Sequence, residues 1–211
     1  MQTNQPIPPC KRPYDLGKRQ KTTGRTRELV VTAATTLLES GGVRDLTMDA
    51  LARASGVTRQ TIHNLFGTKS GVLEALFDRL AVDAGMMRMR DVMQKPDAES
   101  MLAAFVQVFA DFWAKDRLLL KRIHGIAAVD PEFGQTLQAR NARRQMAATH
   151  VIDRLYKSAP TMDPEEKKRA IATLCALTSF EFFDVLAETS GSTEAAVSRL
   201  HPLVKKALAP D

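Results

Sequence analysis

From about residue 22 onward, apolar residues recur every three to four positions, the spacing that gathers them on one side of an α-helix. No segment alternates in the manner of a strand. Leu29, Val30, Ala33, Ala34, Leu37 and Leu38 predict a first helix over 23–40, stopped by Gly41-Gly42. A second short helix is predicted over 47–56 with Thr47 as its cap, and a third over 58–66. Ser70 then reads as the cap of a long helix reaching residue 94, broken by Pro96. Further helices are expected at 97–115, 116–128, 131–158, 164–189 and 193–208. Asp130-Pro131 and Asp163-Pro164 each put proline at a first helical position behind an acidic cap, and Ser190-Gly191-Ser192 separates the last pair. The pattern is therefore all-α, with about nine helices. It divides into a tail read as disordered at 1–21, a three-helix domain at 22–70 and a helical body at 71–211.

Charge sharpens that division. The net charge is +6, and residues 1–70 carry 11 Lys/Arg against 5 Asp/Glu, whereas residues 71–211 carry 19 of each. All of the excess lies at the N-terminal end, the asymmetry of a nucleic-acid-binding part joined to a neutral body, although a solvated tail accounts for Lys11, Arg12, Lys18, Arg19 and Lys21. Cys10 and Cys175 lie in unlike surroundings, which argues against a disulfide framework or a metal knuckle. With no apolar run of 18 residues and no signal-like start, the expected compartment is the cytoplasm. His124, His150 and His201 are isolated, and neither a nucleophile elbow nor a phosphate-cradling glycine loop is present, so no catalytic residue, metal or cofactor is expected.

The informative stretch runs from residue 46 to 66. Two short helices meeting steeply need a small residue where they approach, and Ala52 supplies it. The turn between them needs positive φ, which Gly56 tolerates. Val57, Ile62 and Leu65 turn inward against Leu51, leaving Thr58, Arg59, Gln60, Thr61, His63 and Asn64 outside, with donors and acceptors of a length that reaches base edges and phosphates. On this spacing alone, a helical hairpin with a polar outer face remains the alternative.

The longer pattern Thr47-x3-Leu51-Ala52-x3-Gly56-Val57-Thr58-x2-Thr61-Ile62-x3-Phe66-x2-Lys69-x3-Leu73 resembles the N-terminal signature of the TetR family of bacterial transcriptional regulators. The resemblance implies that Thr47 and Lys69 meet phosphates at helix N-termini. It places Arg59, Gln60 and Thr61 over the bases, and His63 and Asn64 on phosphate or a base edge. Arg59 has the fork that fits guanine O6 and N7, with a phosphate clamp as its alternative role. His63 stands where the family usually carries tyrosine.

Two roles compete for the apolar residues of the body. Leu174, Thr178, Phe182 and Val185, with Leu200 and Val204 of the last helix, resemble the helix pair that forms a dimer interface in the family. The resemblance also implies a small-molecule site, for which Met89, Met93, Phe109, Trp113 and His124 are the candidates; flexible methionine and aromatic rings suit a largely apolar effector. Glu181 and Asp184 either read a cationic ligand or face solvent. The expected function is a sequence-specific, homodimeric repressor on a palindromic double-stranded DNA operator, released by a small-molecule effector. The alternatives are an interaction protein whose helix-turn-helix no longer binds DNA, and a helical enzyme with an apolar pocket.

Overall fold

The computed structural model describes residues 16–157 and 163–209. Among them are eleven α-helices and no strand: α1 (Leu16–Ser40), α2 (Met48–Ser55), α3 (Arg59–Phe66), α4 (Lys69–Asp83), α5 (Met89–Val92), α6 (Ala98–Lys115), α7 (Arg117–Val129), α8 (Pro131–Leu155), α9 (Pro164–Leu177), α10 (Phe180–Thr189) and α11 (Thr193–Ala207). The first helix starts at Leu16, so residues 16–21 of the expected tail are helical. The rest of that tail lies outside the described residues.

Two of the expected long helices are broken, which raises the number from nine to eleven. The fourth ends at Asp83. The Ala84 and Gly85 N–H groups turn back onto Leu80 and Val82, and a 3₁₀ turn at Met86–Arg88 leads into α5. Arg88 fixes this corner by donating to the Gly85 carbonyl at 3.2 Å and to Asp111 of α6 at 2.6 Å. The helix expected over 164–189 breaks at Thr178-Ser179. The fully buried Thr178 donates its hydroxyl to Leu174 O at 2.6 Å, while its carbonyl accepts from Trp113 Nε1 at 3.1 Å. Ser179 accepts from Phe182 N and so starts α10 afresh. Side chains here satisfy backbone groups that a continuous helix would have paired with its own main chain.

α1 rests on α2, α4 and α7, and buries Val30, Val31, Ala34 and Leu38, while Leu29 is exposed. α6, lined by Phe105, Phe109, Phe112 and Trp113, packs against α8, α10 and α11. One apolar core runs from Val30 to Leu208 without a gap at residue 70, because α4 contributes Leu73, Leu76, Phe77 and Leu80 to it. Polar bonds reinforce the join: Arg79 of α4 donates to Thr32 and Thr35 of α1, and Arg122 of α7 donates to the Leu38 carbonyl near the end of α1. The N-terminal helices are therefore held to the body at several points.

No single described helix is long and apolar enough to cross a membrane. α9 and α10 would reach that length only together, and they meet at a 57° bend.

Candidate nucleic-acid interface and body cavity

α2 and α3 form the expected helix-turn-helix. Thr47 caps α2 by accepting from Ala50 N at 3.1 Å. α2 ends at Gly56, whose φ of +67° is the left-handed conformation that the turn demands. Thr58 caps α3 by accepting from Thr61 N, and the two hydroxyls lie 2.8 Å apart. Ile62 is fully buried, as is Leu51 of α2, so the apolar side of α3 is braced from behind. Thr58, Arg59, Gln60, His63 and Asn64 are exposed and Thr61 is half-buried. Gln60 Nε2 donates to Asn64 Oδ1 at 2.9 Å, and Arg59 pairs with Asp49 of α2 at 3.2 Å.

Several supports were not singled out from the sequence. Arg27 of α1 donates to Leu65 O at 2.9 Å and lies over the Phe66 ring, which clamps the C-terminal end of α3. Thr68, not Ser70, caps α4 by accepting from Gly71 N. Gly71 has to be glycine, because a Cβ there would lie well inside contact distance of the Phe66 carbonyl oxygen. That close approach fixes how α4 leaves α3. The Gly at 71 and the Arg at 27 carry no distinctive local pattern, so only the tertiary fold exposes their roles.

Lys69 begins α4 and sits 3.6 Å from Asp130, which also caps α8 by accepting from Phe133 N. Ser70 Oγ lies 3.5 Å from the same carboxylate, and Thr68 Oγ1 donates to Glu132 at 2.8 Å. Thus the residues just beyond α3 are tied to the first turn of α8.

The middle of α8 meets a cavity of about 260 Å³. Met89, Phe109, Trp113 and His124 line it, together with Phe77, Phe112, Met86 and Leu137. Met93 does not. The polar lining is Arg140, Asn141, Arg143, Arg144 and His124, with no acidic residue. Arg140 is paired with Asp78 of α4 at 2.7 Å and lies over the Phe77 ring. Arg144 donates to the Cys175 carbonyl near the end of α9 at 2.9 Å and lies over Phe109. Burial pulls the Arg144 guanidinium below the usual arginine range.

Of the two readings of Glu181 and Asp184, Glu181 faces solvent, and both carboxylates are engaged by basic side chains of the chain itself. Glu181 receives a bond from His124 Nδ1 at 3.0 Å, which draws its carboxyl down to about 2 against the opposing effect of burial. Asp184 is held by Arg117 and Lys121.

The two arginines fall on the inward stripe of α8 (Phe133, Leu137, Arg140, Arg144, Ala148, Val151), replacing apolar residues at helical spacing. That interruption was the available sequence signal.

The expected dimer residues divide. Leu174, Thr178, Leu200 and Val204 are fully buried within the single chain, so they belong to its own core and cannot reach a partner. They repeat at helical spacing because they face inward. Of the six, Val185 (58% exposed) and the half-buried Phe182 remain on the outside.

Residues 30–76, which span the buried half of α1 through most of α4, match the family model described as bacterial regulatory proteins, tetR family. The HTH-type transcriptional regulator EthR of Mycobacterium tuberculosis is 28% identical over 116 residues, 53% of each chain, so the matched part spans about half of that relative's length. The HTH-type transcriptional regulator AlkX of the same organism is 29% identical over 180 residues, covering 72% of this chain and 82% of AlkX. The fold is shared with a TetR transcription regulator from Haloarcula marismortui (TM-score 0.68, 17% identity, 88% and 97% covered). It is also shared with NalD, the secondary repressor of the MexAB-OprM multidrug efflux pump in Pseudomonas aeruginosa (TM-score 0.65, 18% identity, 90% and 98% covered).

Proposed function

We propose that the chain is a member of the TetR family of bacterial regulatory proteins, and that it is a homodimeric repressor whose α3 enters the major groove of a palindromic operator. The observation that carries this reading is the outer face of α3. Thr58, Arg59, Gln60, His63 and Asn64 stand in solvent on a helix braced by Ile62, between helix N-termini capped by Thr47 and Thr68. Those N-termini attract phosphate through free amides and helix dipoles, while the α3 side chains carry base-edge chemistry. His63 is exposed and free to meet a phosphate in the place of the family's tyrosine.

An eight-residue helix is about 12 Å long and reads only a few base pairs, so two copies are required, on half-sites about one helical turn or more apart. The outward sides of α10 and α11, which carry Val185, Phe182 and Leu203, supply the apolar surface for pairing.

The cavity is the effector site in this reading. Arg140 connects it to α4 through Asp78, and the first turn of α8 holds Lys69 through Asp130. A ligand that shifts α8 therefore changes the spacing of the recognition helices, by no more than its differential affinity for the two arrangements.

The test is fluorescence anisotropy on genomic fragments retained by the purified chain. An inverted repeat should be enriched, with affinity falling steeply as salt rises. No attraction for any duplex at low salt overturns the reading.

A further inference from the structure

Around the cavity the charge is one-sided. Arg140, Arg143, Arg144 and His124 line it, and no Asp or Glu does. Arg140 and Arg144 are four residues apart on α8, so both project from one face, where like charges repel. Arg140 is matched by Asp78, and Arg143 is exposed. Arg144 is different: among the described residues no carboxylate lies within 4.0 Å of it, Glu181 acts on it only from beyond that distance, and its one protein acceptor is the Cys175 carbonyl. Its Nε is buried without a hydrogen-bond partner, as are Arg140 Nε and His124 Nε2. A part-buried cation without a direct counter-ion is costly, and a negative group in contact with it offsets that cost. The remaining walls are the rings of Phe77, Phe109, Phe112 and Trp113 with Met86 and Met89, which shape a compact apolar slot.

From these observations, and resting on the cavity being the effector site, we infer that the ligand is a monocarboxylic acid with a compact apolar body, its carboxylate paired with Arg144. One unmatched guanidinium calls for one negative charge, and a planar carboxylate suits its fork. A volume of about 260 Å³ suits an aromatic ring or a short acyl chain better than a long lipid tail. Arrival of the acid gives Arg144 the counter-ion that the protein withholds, and it competes with Asp78 for Arg140, which loosens the tie between α8 and α4.

Trp113, the sole tryptophan, lies in the cavity wall and reports occupancy without any DNA. The full chain is titrated by its fluorescence with hexanoate and 4-phenylbutyrate, with their neutral amides, and with hexadecanoate. The acids are expected to bind at least tenfold more tightly than the amides, and hexadecanoate more weakly than hexanoate. Arg144→Gln should bring the acids down to the level of the amides, while Arg143→Gln leaves the preference in place. If Arg144→Gln does not fold, the acid-to-amide ratio of the wild-type chain decides alone. Equal binding of acid and amide, no binding of either acid at millimolar concentration, hexadecanoate binding as tightly as hexanoate, or a preference that survives Arg144→Gln overturns the inference. Acids that bind with the stated preference but leave duplex affinity unchanged support the ligand class and overturn only the release mechanism.

Discussion

On α3 the apolar side chains face inward and the polar ones stand largely in solvent, Gln60 bonded to Asn64 and Arg59 to Asp49 on the same surface. Around the cavity the arrangement is inverted: Arg140, Arg144 and His124 are drawn in among phenylalanines, and each keeps a buried nitrogen with no protein partner. An exposed polar face costs nothing to maintain, because water satisfies it until a partner arrives. A part-buried one is held at the expense of stability, and the strength of the surrounding packing keeps it in place. The two regions therefore predict different responses to mutation. Changes at the outer face of α3 should alter binding without altering stability, whereas changes behind it should alter both.

The largest effect is expected behind the helix. Ile62→Ala removes a fully buried side chain that braces α3 and should cost about 2–5 kcal/mol of stability in a denaturant melt. Duplex binding should fall with it. Full duplex affinity in a variant destabilised to that degree would break the comparison, since the outer face would then be independent of its brace.

Next comes Arg59→Ala, which should leave the melt unchanged. It should cost about 1–3 kcal/mol of operator binding, concentrated at one base position. Equal loss on every operator variant would assign Arg59 to phosphate instead.

These contrasts also explain what could be read from the chain alone. The helix-turn-helix was legible because its signals are local: a cap, a small residue, a glycine at the turn and a polar face all lie within twenty positions. The helix breaks at Gly85 and Thr178 were not, since long-range partners complete them, Asp111 holding Arg88 and Trp113 holding the Thr178 carbonyl. The dimer residues were misplaced for a related reason. An apolar stripe signals burial, but it does not say whether the cover comes from the same chain, and for Leu174, Leu200 and Val204 it does. Four of the five expected cavity residues do share one cavity, yet the arginines that give it chemical character lay inside a helix read only for its length.

A smaller effect is expected where the two regions meet. Lys69→Ala should weaken all duplexes alike and lower the salt dependence of binding by about one unit. Asp130→Asn should do the reverse to affinity. Asparagine caps α8 about as well as aspartate, so the fold is retained, while Lys69 loses the carboxylate that competes with DNA phosphate. A few-fold tighter binding at fixed salt is the expected readout. Unchanged affinity would mean that Lys69 gives up Asp130 at no cost.

The smallest effect belongs to the pair on the surface. Arg59 and Asp49 lie 3.2 Å apart with both side chains about two-thirds exposed (66% and 65%), so solvent screening leaves the bond worth within about 1 kcal/mol. Arg59 must nevertheless release Asp49 before it can reach a base, and an acidic group beside the groove also repels phosphate. Asp49→Ala removes both penalties without touching the core. Stability should be unchanged within error, and operator affinity should rise by no more than a few-fold, with the gain shrinking as salt screens the charge. The double variant with Arg59→Ala separates the two causes. If release of Arg59 is the source, the gain disappears in the double variant; if repulsion of phosphate is the source, it persists. A gain that is insensitive to both salt and Arg59 would mean that Asp49 acts through the packing of α2, and the outer face of α3 would then be less independent of its scaffold than its exposure implies.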